Sequence, residues 1–315
     1  MCVALFRSTA NAEYAINLPE PVTDIARQIF DLHTLILWVC VGIFVVVFGA
    51  MFYSVLKHRK SVGHQAAHFH ENTTVEIIWT VIPFIILVGM AYPATKTILS
   101  MKDTSDSDMT IKITGYQWKW EYDYLADGVR FFSTLSTPRD QIENRNDKGG
   151  HYLLEVDNPM VVPTGKRVRL LMTANDVLHA WWVPALGVKQ DAIPGFIKDS
   201  WIKVDKPGTY RGQCAELCGK DHGFMPIVVE AKTSQDYDAW LSDKKAKMAA
   251  VTMDPNKVYT LAELKAHGEK VYANSCAACH QADGKGIPGT FKALDASPIA
   301  TGPKAQHIDQ VMNGK

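Results

Sequence analysis

The sequence lacks a surplus of charge of either sign. Its 315 residues include 33 Lys and Arg against 33 Asp and Glu, so the formal net charge is zero. A protein that binds nucleic acid through its phosphates needs a basic surplus on one face. We therefore expect no nucleic-acid partner. The length leaves room for two folded domains besides any membrane segment.

Cysteine is also scarce, with six in the chain. Four of them form two close pairs, each with a histidine nearby: Cys214 with Cys218, and Cys276 with Cys279. This arrangement is typical of cofactor binding rather than of a disulfide framework.

A complete signal peptide is missing as well. Residues 10–12 read Ala-Asn-Ala, which fits a cleavage site, but the apolar run at residues 3–6 is short and no basic segment precedes it. We interpret residues 1–12 as the remnant of a secretory signal peptide.

Two long apolar runs are present. Residues 35–56 would span ~33 Å as a helix, enough to cross a membrane, and residues 75–94 form a second span interrupted by Pro83. The basic cluster at residues 57–60 indicates that the connecting loop is cytoplasmic. The sequence therefore predicts a transmembrane hairpin with both ends outside. Its bounds are residues 13–102, with helices at about 31–57 and 73–100.

Glu76 lies near the cytoplasmic start of the second span. A carboxylate is costly against lipid, which favours a functional role such as proton uptake. The alternative is an interfacial Glu at a helix N-terminus, where the helix dipole stabilises negative charge. The chemistry alone leaves both interpretations open.

Beyond residue 102 the composition changes to short runs rich in β-branched and aromatic residues, bounded by Gly, Pro, Asn or Asp. This pattern predicts an antiparallel β-sandwich over residues 103–232. The runs are 109–124, 129–135, 151–157, 166–174, 199–205, 209–214 and 226–232. The polar, Lys-rich residues 233–260 predict a short helix followed by a tether.

One stretch, Cys214–Met225, reads CAELCGKDHGFM and places two thiols, an imidazole and a thioether within twelve residues. This ligand set favours copper over calcium, magnesium or manganese. A blue-copper centre needs one Cys, two His and a weak axial Met, so one thiolate is left over. Two thiolates can bridge two copper ions if a second histidine comes from elsewhere, and His179 in NDVLHAWWVP is the candidate.

Cysteines four residues apart also fit a disulfide or half of a zinc site. A structural zinc site needs two further Cys or His at short spacing, and no such pair lies nearby. Met225 taken alone fits core packing. The spacing of the cysteines by itself leaves these alternatives open.

The C-terminal residues 261–315 begin with a helical pattern that ends in Cys276-x-x-Cys279-His280, a signal for c-type haem attachment. The two cysteines would form thioether bonds to the haem, and His280 would be an axial ligand. Together with the DGKGIPG run at residues 283–289, this region resembles a partial class I cytochrome c domain. The resemblance implies a distal methionine in a segment beyond Lys315, and we do not assign that role to Met312.

Taken together, the pattern C-x3-C-x3-H-x2-M resembles the binuclear CuA site of cytochrome c oxidase subunit II. The resemblance covers about residues 13–315 and includes a fused, caa3-like cytochrome c domain. The fold that it implies is a membrane-anchored multidomain chain with a two-helix transmembrane hairpin, an all-β cupredoxin sandwich and a small all-α cytochrome c domain.

The resemblance also implies roles for individual residues. The thiolates of Cys214 and Cys218 would bridge the coppers, with His179 and His222 as terminal ligands and Met225 as a weak thioether ligand. Further implied roles are a copper-facing carbonyl and a magnesium-binding carboxylate at Glu216, electron uptake at Trp118 in GYQWKWEY with Trp120 as a packing residue, and the mouth of a proton path at Glu76. The copper ligands would lie on a loop between the last two strands, joined by His179 from a separate loop.

The implied function is that of the electron-accepting subunit of a cytochrome c oxidase. Electrons would pass from a soluble cytochrome c through haem c and CuA to subunit I, where oxygen is reduced to water and protons are pumped. Subunits I and III would be partners in a bacterial inner membrane, with the folded domains on the periplasmic face.

A membrane-anchored copper chaperone is the main alternative, but it leaves Met225, a second histidine and the haem motif unexplained. A quinol oxidase subunit II would lack the cysteines. The copper domain of nitrous oxide reductase shares the site but would lack the membrane spans and the haem motif.

Overall fold

The computed structural model describes residues 17–65, 68, 70–249, 253, 256–288 and 291–313. The chain divides after Ser234 into two compact units. The first contains two long helices and a β-sandwich, and the second is helical. The expected signal-peptide remnant at residues 1–12 lies outside the described residues.

The two long helices are α1, Asp24–Lys57, and α2, Thr73–Lys102, and both are long and apolar enough to cross a membrane. Helix α1 begins earlier than the apolar pattern indicated. Its first turn is capped by Thr23, whose hydroxyl accepts a hydrogen bond from the Ala26 amide, and it is buried against the sandwich rather than in lipid. Helix α2 continues through Pro83 and Pro93.

The sandwich consists of two five-stranded sheets, with strand orders β3-β2-β1-β5-β8 and β4-β10-β9-β6-β7. A short helix, α3, Arg139–Ile142, lies between β3 and β4. The strands are β1 Met109–Tyr116, β2 Lys119–Tyr124, β3 Val129–Ser133, β4 Met160–Pro163, β5 Val168–Ala174, β6 His179–Val183, β7 Val188–Ala192, β8 Lys198–Ile202, β9 Gly208–Cys214 and β10 Pro226–Lys232.

The sheets differ from the predicted antiparallel arrangement in one respect. Strands β1 and β5 pair in parallel, as do β4 and β10, because the chain crosses between the sheets and returns in the same direction. Residues 151–157 form no strand and contribute only the isolated bridge between Leu135 and Val156. Their chain is held in turns instead, since Asp157 accepts hydrogen bonds from the amide and hydroxyl of Thr134.

The core lies between the two sheets and is rich in aromatic residues. Trp120, Tyr122, Tyr124 and Trp181 are all fully buried or nearly so. The Tyr124 hydroxyl crosses between the sheets, donating to the Val161 carbonyl and accepting from the Val161 amide. This packing gives the ends of β6 and β9, which carry the candidate ligands, a rigid base.

Helix α1 is fastened to the sandwich at its N-terminus. The Thr23 hydroxyl donates to the Leu186 carbonyl at 2.9 Å. Gly187 allows the close approach, because its φ is +69° and a Cβ there would lie 2.8 Å from the Ala26 backbone. Arg27 adds an ion pair with Asp205 at 2.7 Å.

Helix α2 is fastened to the sandwich at its C-terminus. The Trp201 indole nitrogen donates to the Ser100 carbonyl at 3.0 Å, which satisfies one of the free carbonyls of the last turn. The Arg167 guanidinium stacks 3.9 Å above the Trp201 ring and donates to the Asp103 carbonyl.

The second unit begins after the first residue of α4, Ser234–Ala249, and also contains α5 Leu261–Ser275, α6 Ala277–His280 and α7 Lys304–Asn313. Helix α5 begins with a capping box, in which Thr260 and Glu263 each accept from the other's backbone amide. The haem-attachment motif follows directly, at α6.

Candidate metal centre

The two thiols of the ligand stretch lie side by side. Cys214 is the last residue of β9, where it is opposite Trp181 of β6, and Cys218 lies on the loop that leads to β10. Their sulfur atoms are 3.8 Å apart, whereas a disulfide bond is about 2.05 Å long. Both residues are buried and free, so the structure favours a metal site over a crosslink.

His179 comes from a different part of the chain and is completely buried. It is the first residue of strand β6, whereas the sequence interpretation placed it on a loop. Its Nδ1 lies 3.9 Å from the Cys214 sulfur. Gly115 on β1 makes room for the ring, because a Cβ at that position would lie 2.9 Å from His179 carbon atoms.

His222 and Met225 both lie next to Cys218. His222 begins a 3-10 turn, and its Nδ1 is 3.4 Å from the Cys218 sulfur. The Met225 thioether sulfur is 3.5 Å from the same atom and is buried. The fold thus brings all five predicted side-chain ligands together.

The two thiols differ in acidity because their neighbours differ. Burial works against ionisation at Cys214, but its hydrogen bond with His179 and bonds to the backbone outweigh burial and lower the pKa to about 7. At Cys218 burial acts together with repulsion from the Cys214 thiolate and raises the pKa to about 12.

This set of donors fits copper. Among the described residues, the donor atoms of His179, Cys214 and Cys218 lie within 4.8 Å of one another, and the Met225 thioether and His222 imidazole border them. Thiolate and thioether sulfur suit copper, and a structural zinc site does not use a methionine. The Glu216 carbonyl oxygen, 3.3 Å from the Cys214 sulfur, adds one oxygen donor.

Two aromatic residues contact the ligand loop. The Trp118 indole nitrogen donates to the Cys218 carbonyl at 3.1 Å, and Trp118 is half-buried. Trp120 is fully buried and donates to the Met225 carbonyl at 3.2 Å, in agreement with its interpretation as a packing residue. Gly219, with φ +114°, leaves space for the Trp118 ring.

The sequence reasoning missed Asp176 and Gln117. Asp176 accepts a hydrogen bond from His179 Nε2 at 2.9 Å, on the side of the ring opposite the thiols. The Gln117 amide side chain donates to the Cys218 carbonyl at 2.9 Å. The only signals were the position of Asp176 three residues before His179 and the position of Gln117 directly before Trp118.

Comparison with known families covers most of the chain. The family described as "Cytochrome C oxidase subunit II, periplasmic domain" matches residues 109–232, and the corresponding transmembrane domain matches residues 11–97. A third family, "Cytochrome c", matches residues 265–314.

A protein of Rickettsia conorii named probable cytochrome c oxidase subunit 2 is 39% identical over 233 residues, 73% of this chain and 72% of that protein. The chain belongs to the cytochrome c oxidase subunit II family. Cytochrome c oxidase subunit 2 of Cyanidium caldarium is 36% identical over 236 residues, 73% of this chain and 91% of the relative. The crystal structure of the periplasmic domain of subunit II of cytochrome oxidase from Bradyrhizobium japonicum covers 46% of this chain and 98% of its own, with 42% identity and a TM-score of 0.41.

Membership in the cytochrome c oxidase subunit II family confirms the predicted family, the fold class and the electron-accepting role in an oxidase complex. The matching domains imply a CuA copper centre and a haem. The transmembrane domain and the two long helices make this a membrane-anchored chain. Family membership therefore excludes the alternative of a copper chaperone.

The other predicted site residues of this subunit II chain lie apart from the thiols or at their edge. The Glu216 side chain is exposed. Glu76 lies in the first turn of α2, where its carboxylate accepts a hydrogen bond from the Asn72 backbone amide at 3.4 Å, so its position also fits the alternative of a Glu stabilised by the helix dipole.

In the cytochrome c region, Cys276 is half-buried and free, while the side chain of Cys279 lies outside the described part of the structure. His280 Nδ1 is 2.9 Å from the Lys292 carbonyl. Because a carbonyl only accepts, Nδ1 carries the proton and Nε2 has the free lone pair. This tautomer suits an axial haem ligand.

Proposed function

We propose that Cys214 and Cys218 bridge two copper ions, with His179 and His222 as terminal ligands and Met225 as a weak ligand. The Glu216 carbonyl would face one of the two coppers. The observation that carries the proposal is the convergence of two thiols, two imidazole Nδ1 atoms and a thioether within contacts of 3.4–3.9 Å.

A copper pair of this kind supplies reversible one-electron redox chemistry. The protein's own contribution is to hold the donors in place. Cys214 and His179 are anchored on strands whose side chains pack into the core, and burial of both thiols and of Met225 excludes water. Ligands held in a close-packed core move little when the charge on the copper changes, and this small rearrangement favours fast electron transfer.

We assign electron uptake to Trp118. Its position supports this role, because the half-buried ring is joined by one hydrogen bond to the carbonyl of a bridging cysteine. A soluble cytochrome c is the proposed donor to the complex.

In the C-terminal domain we propose covalent attachment of haem c through Cys276 and Cys279, with His280 as the proximal ligand. The hydrogen bond between His280 and the Lys292 carbonyl supports this assignment, because it fixes the ring with Nε2 available. The proposed bounds of the domain are residues 261–315, after a linker at 233–260.

Several assignments concern the assembled complex. Subunits I and III are the proposed partners, with the Glu216 carboxylate binding magnesium at the subunit I interface and Glu76 at the mouth of a proton path. The proposed location is a bacterial inner membrane, with the sandwich of residues 103–232 and the cytochrome domain on the periplasmic face. The basic residues 57–60 between the helices support this orientation.

The ligand assignment is tested in the assembled oxidase with Cys218→Ser. Removing one bridging thiolate should lower copper content and reduce oxygen consumption driven by reduced cytochrome c by more than about 100-fold, since even loss of a residue that only supports a metal ligand costs 10–100-fold. Cys40→Ser, at an exposed position in α1, is the matched control and should retain full activity. A Cys218→Ser enzyme that assembles with subunit I and retains parental copper and activity would overturn the assignment.

A further inference from the structure

We infer that Asp176 is a positioning residue that fixes His179 as an Nδ1 ligand and makes the two halves of the copper centre unequal. This inference rests on the proposed function and extends it to a residue outside the ligand set.

The His179 ring has a fixed orientation. Its Nε2 is 2.9 Å from Asp176 Oδ1, and its Nδ1 faces the Cys214 sulfur. Because an ionised carboxylate only accepts hydrogen bonds, Nε2 must be the donor and Nδ1 is left with its lone pair toward the metal site. The ring is fully buried, so water cannot replace the carboxylate.

Asp176 is itself held in place by backbone amides. Its Oδ1 also accepts a hydrogen bond from the backbone amide of Val177 at 2.7 Å, and its Oδ2 accepts one from the backbone amide of Gln117 at 2.8 Å. The Gln117 side chain in turn donates to the Cys218 carbonyl. Asp176 therefore links the segment before β6, the turn between β1 and β2, and the ligand loop.

His222 differs from His179 in its surroundings. That imidazole is partly exposed, and within the described ranges no carboxylate or carbonyl accepts a hydrogen bond from its second ring nitrogen. A carboxylate partner makes an imidazole a stronger electron donor to its metal. His179 should therefore stabilise the oxidised state of its copper more than His222 does, and the unpaired electron should be shared unequally.

A role in docking alone would not require this geometry. The Asp176 side chain is 27% exposed, and both of its oxygens are used by groups of this chain. A carboxylate that serves only to attract a basic partner gains nothing from a bond to a buried ligand ring.

The test uses the copper-loaded full chain carrying Asp176→Asn, which retains the volume of the side chain but removes its charge and one acceptor. We expect it to bind copper, to release copper to a chelator about 10–100-fold faster, to have a higher midpoint potential, and to show a more even copper hyperfine pattern. Asp221→Asn is the matched control, because it removes the same charge beside His222, where the Asp221 side chain makes no hydrogen bond to a ligand within the described residues. It should leave the hyperfine pattern unchanged.

Equal changes of the midpoint potential and hyperfine pattern in the two variants would overturn the inference, because they would reflect only the loss of a nearby charge. No change in either variant would overturn it as well. If Asp176→Asn fails to load copper, Asp176→Glu must restore both loading and the parental potential; failure to restore them counts equally against the inference. A parent chain without two coppers would instead refute the proposed function, so the two failures are distinguishable.

Discussion

At the scale of the residue, the candidate centre depends on small differences between chemically similar groups. Cys214 and Cys218 are nearly equally buried, yet the first has a pKa lowered to about 7 and the second a pKa raised to about 12. The difference arises because His179 stabilises the Cys214 thiolate, and that thiolate then disfavours a second negative charge beside it.

This difference predicts an order of ionisation in the copper-free protein. The Cys214 thiol, with a pKa of about 7, should ionise with a midpoint near pH 7, while Cys218, with a pKa of about 12, remains protonated through pH 9. The ultraviolet absorbance of thiolates over pH 5–9, measured in the parent minus Cys214→Ser, reports the Cys214 ionisation without requiring a reagent to reach the buried sulfurs. A difference without a step near pH 7 would contradict this account.

The ligand types and their grouping could be predicted from the sequence because four of the five proposed side-chain ligands lie within one stretch, Cys214–Met225. Asp176, Gln117 and Gly115 could not be found that way. Their contribution depends on where the backbone places them, and an aspartate three residues before a histidine has no meaning until the ring orientation is known. The individual ligand roles remain predictions.

At the scale of the element, contacts at one end of each long helix hold the sandwich against α1 and α2. Trp201 on β8 satisfies a carbonyl in the last turn of α2, and Arg167 stacks on its ring while binding the Asp103 carbonyl. At the N-terminus of α1, the Thr23 hydroxyl donates a hydrogen bond to the sandwich, and Gly187 allows the helix to approach closely.

Trp201→Phe should loosen the last turn of α2. It removes one hydrogen bond worth about 1 kcal/mol but keeps an aromatic ring for Arg167. Hydrogen–deuterium exchange of peptides covering residues 97–104 should therefore become about fivefold faster. Trp79→Phe, an exposed position on the same helix, is the control and should not change it. Unchanged exchange in Trp201→Phe would show that the indole does not hold the helix.

Strands were predicted correctly where buried and exposed residues alternate. They were missed or wrongly predicted where contacts with other parts of the fold determine the local structure. Strand β5, with its alternately buried residues, was predicted from its pattern. Strand β4 is buried at every residue, β6 at every residue but Trp182, and β7 is mostly polar (VKQDA), so none of the three shows a clear alternation in its sequence. The run at 151–157 has strand-like composition, but its neighbours hold it in turns.

At the scale of the whole molecule, a membrane hairpin, a CuA-type sandwich and a cytochrome c domain follow one another along a single chain. The three regions differ so clearly in composition that the amino-acid sequence alone predicts their order.

The most direct test of the central claim is the metal content of the purified chain, measured together with its electron paramagnetic resonance spectrum. We predict two copper ions per chain and a mixed-valence signal in which one unpaired electron couples to both copper nuclei. One copper per chain with a mononuclear signal, or zinc at the cysteines, would contradict the account.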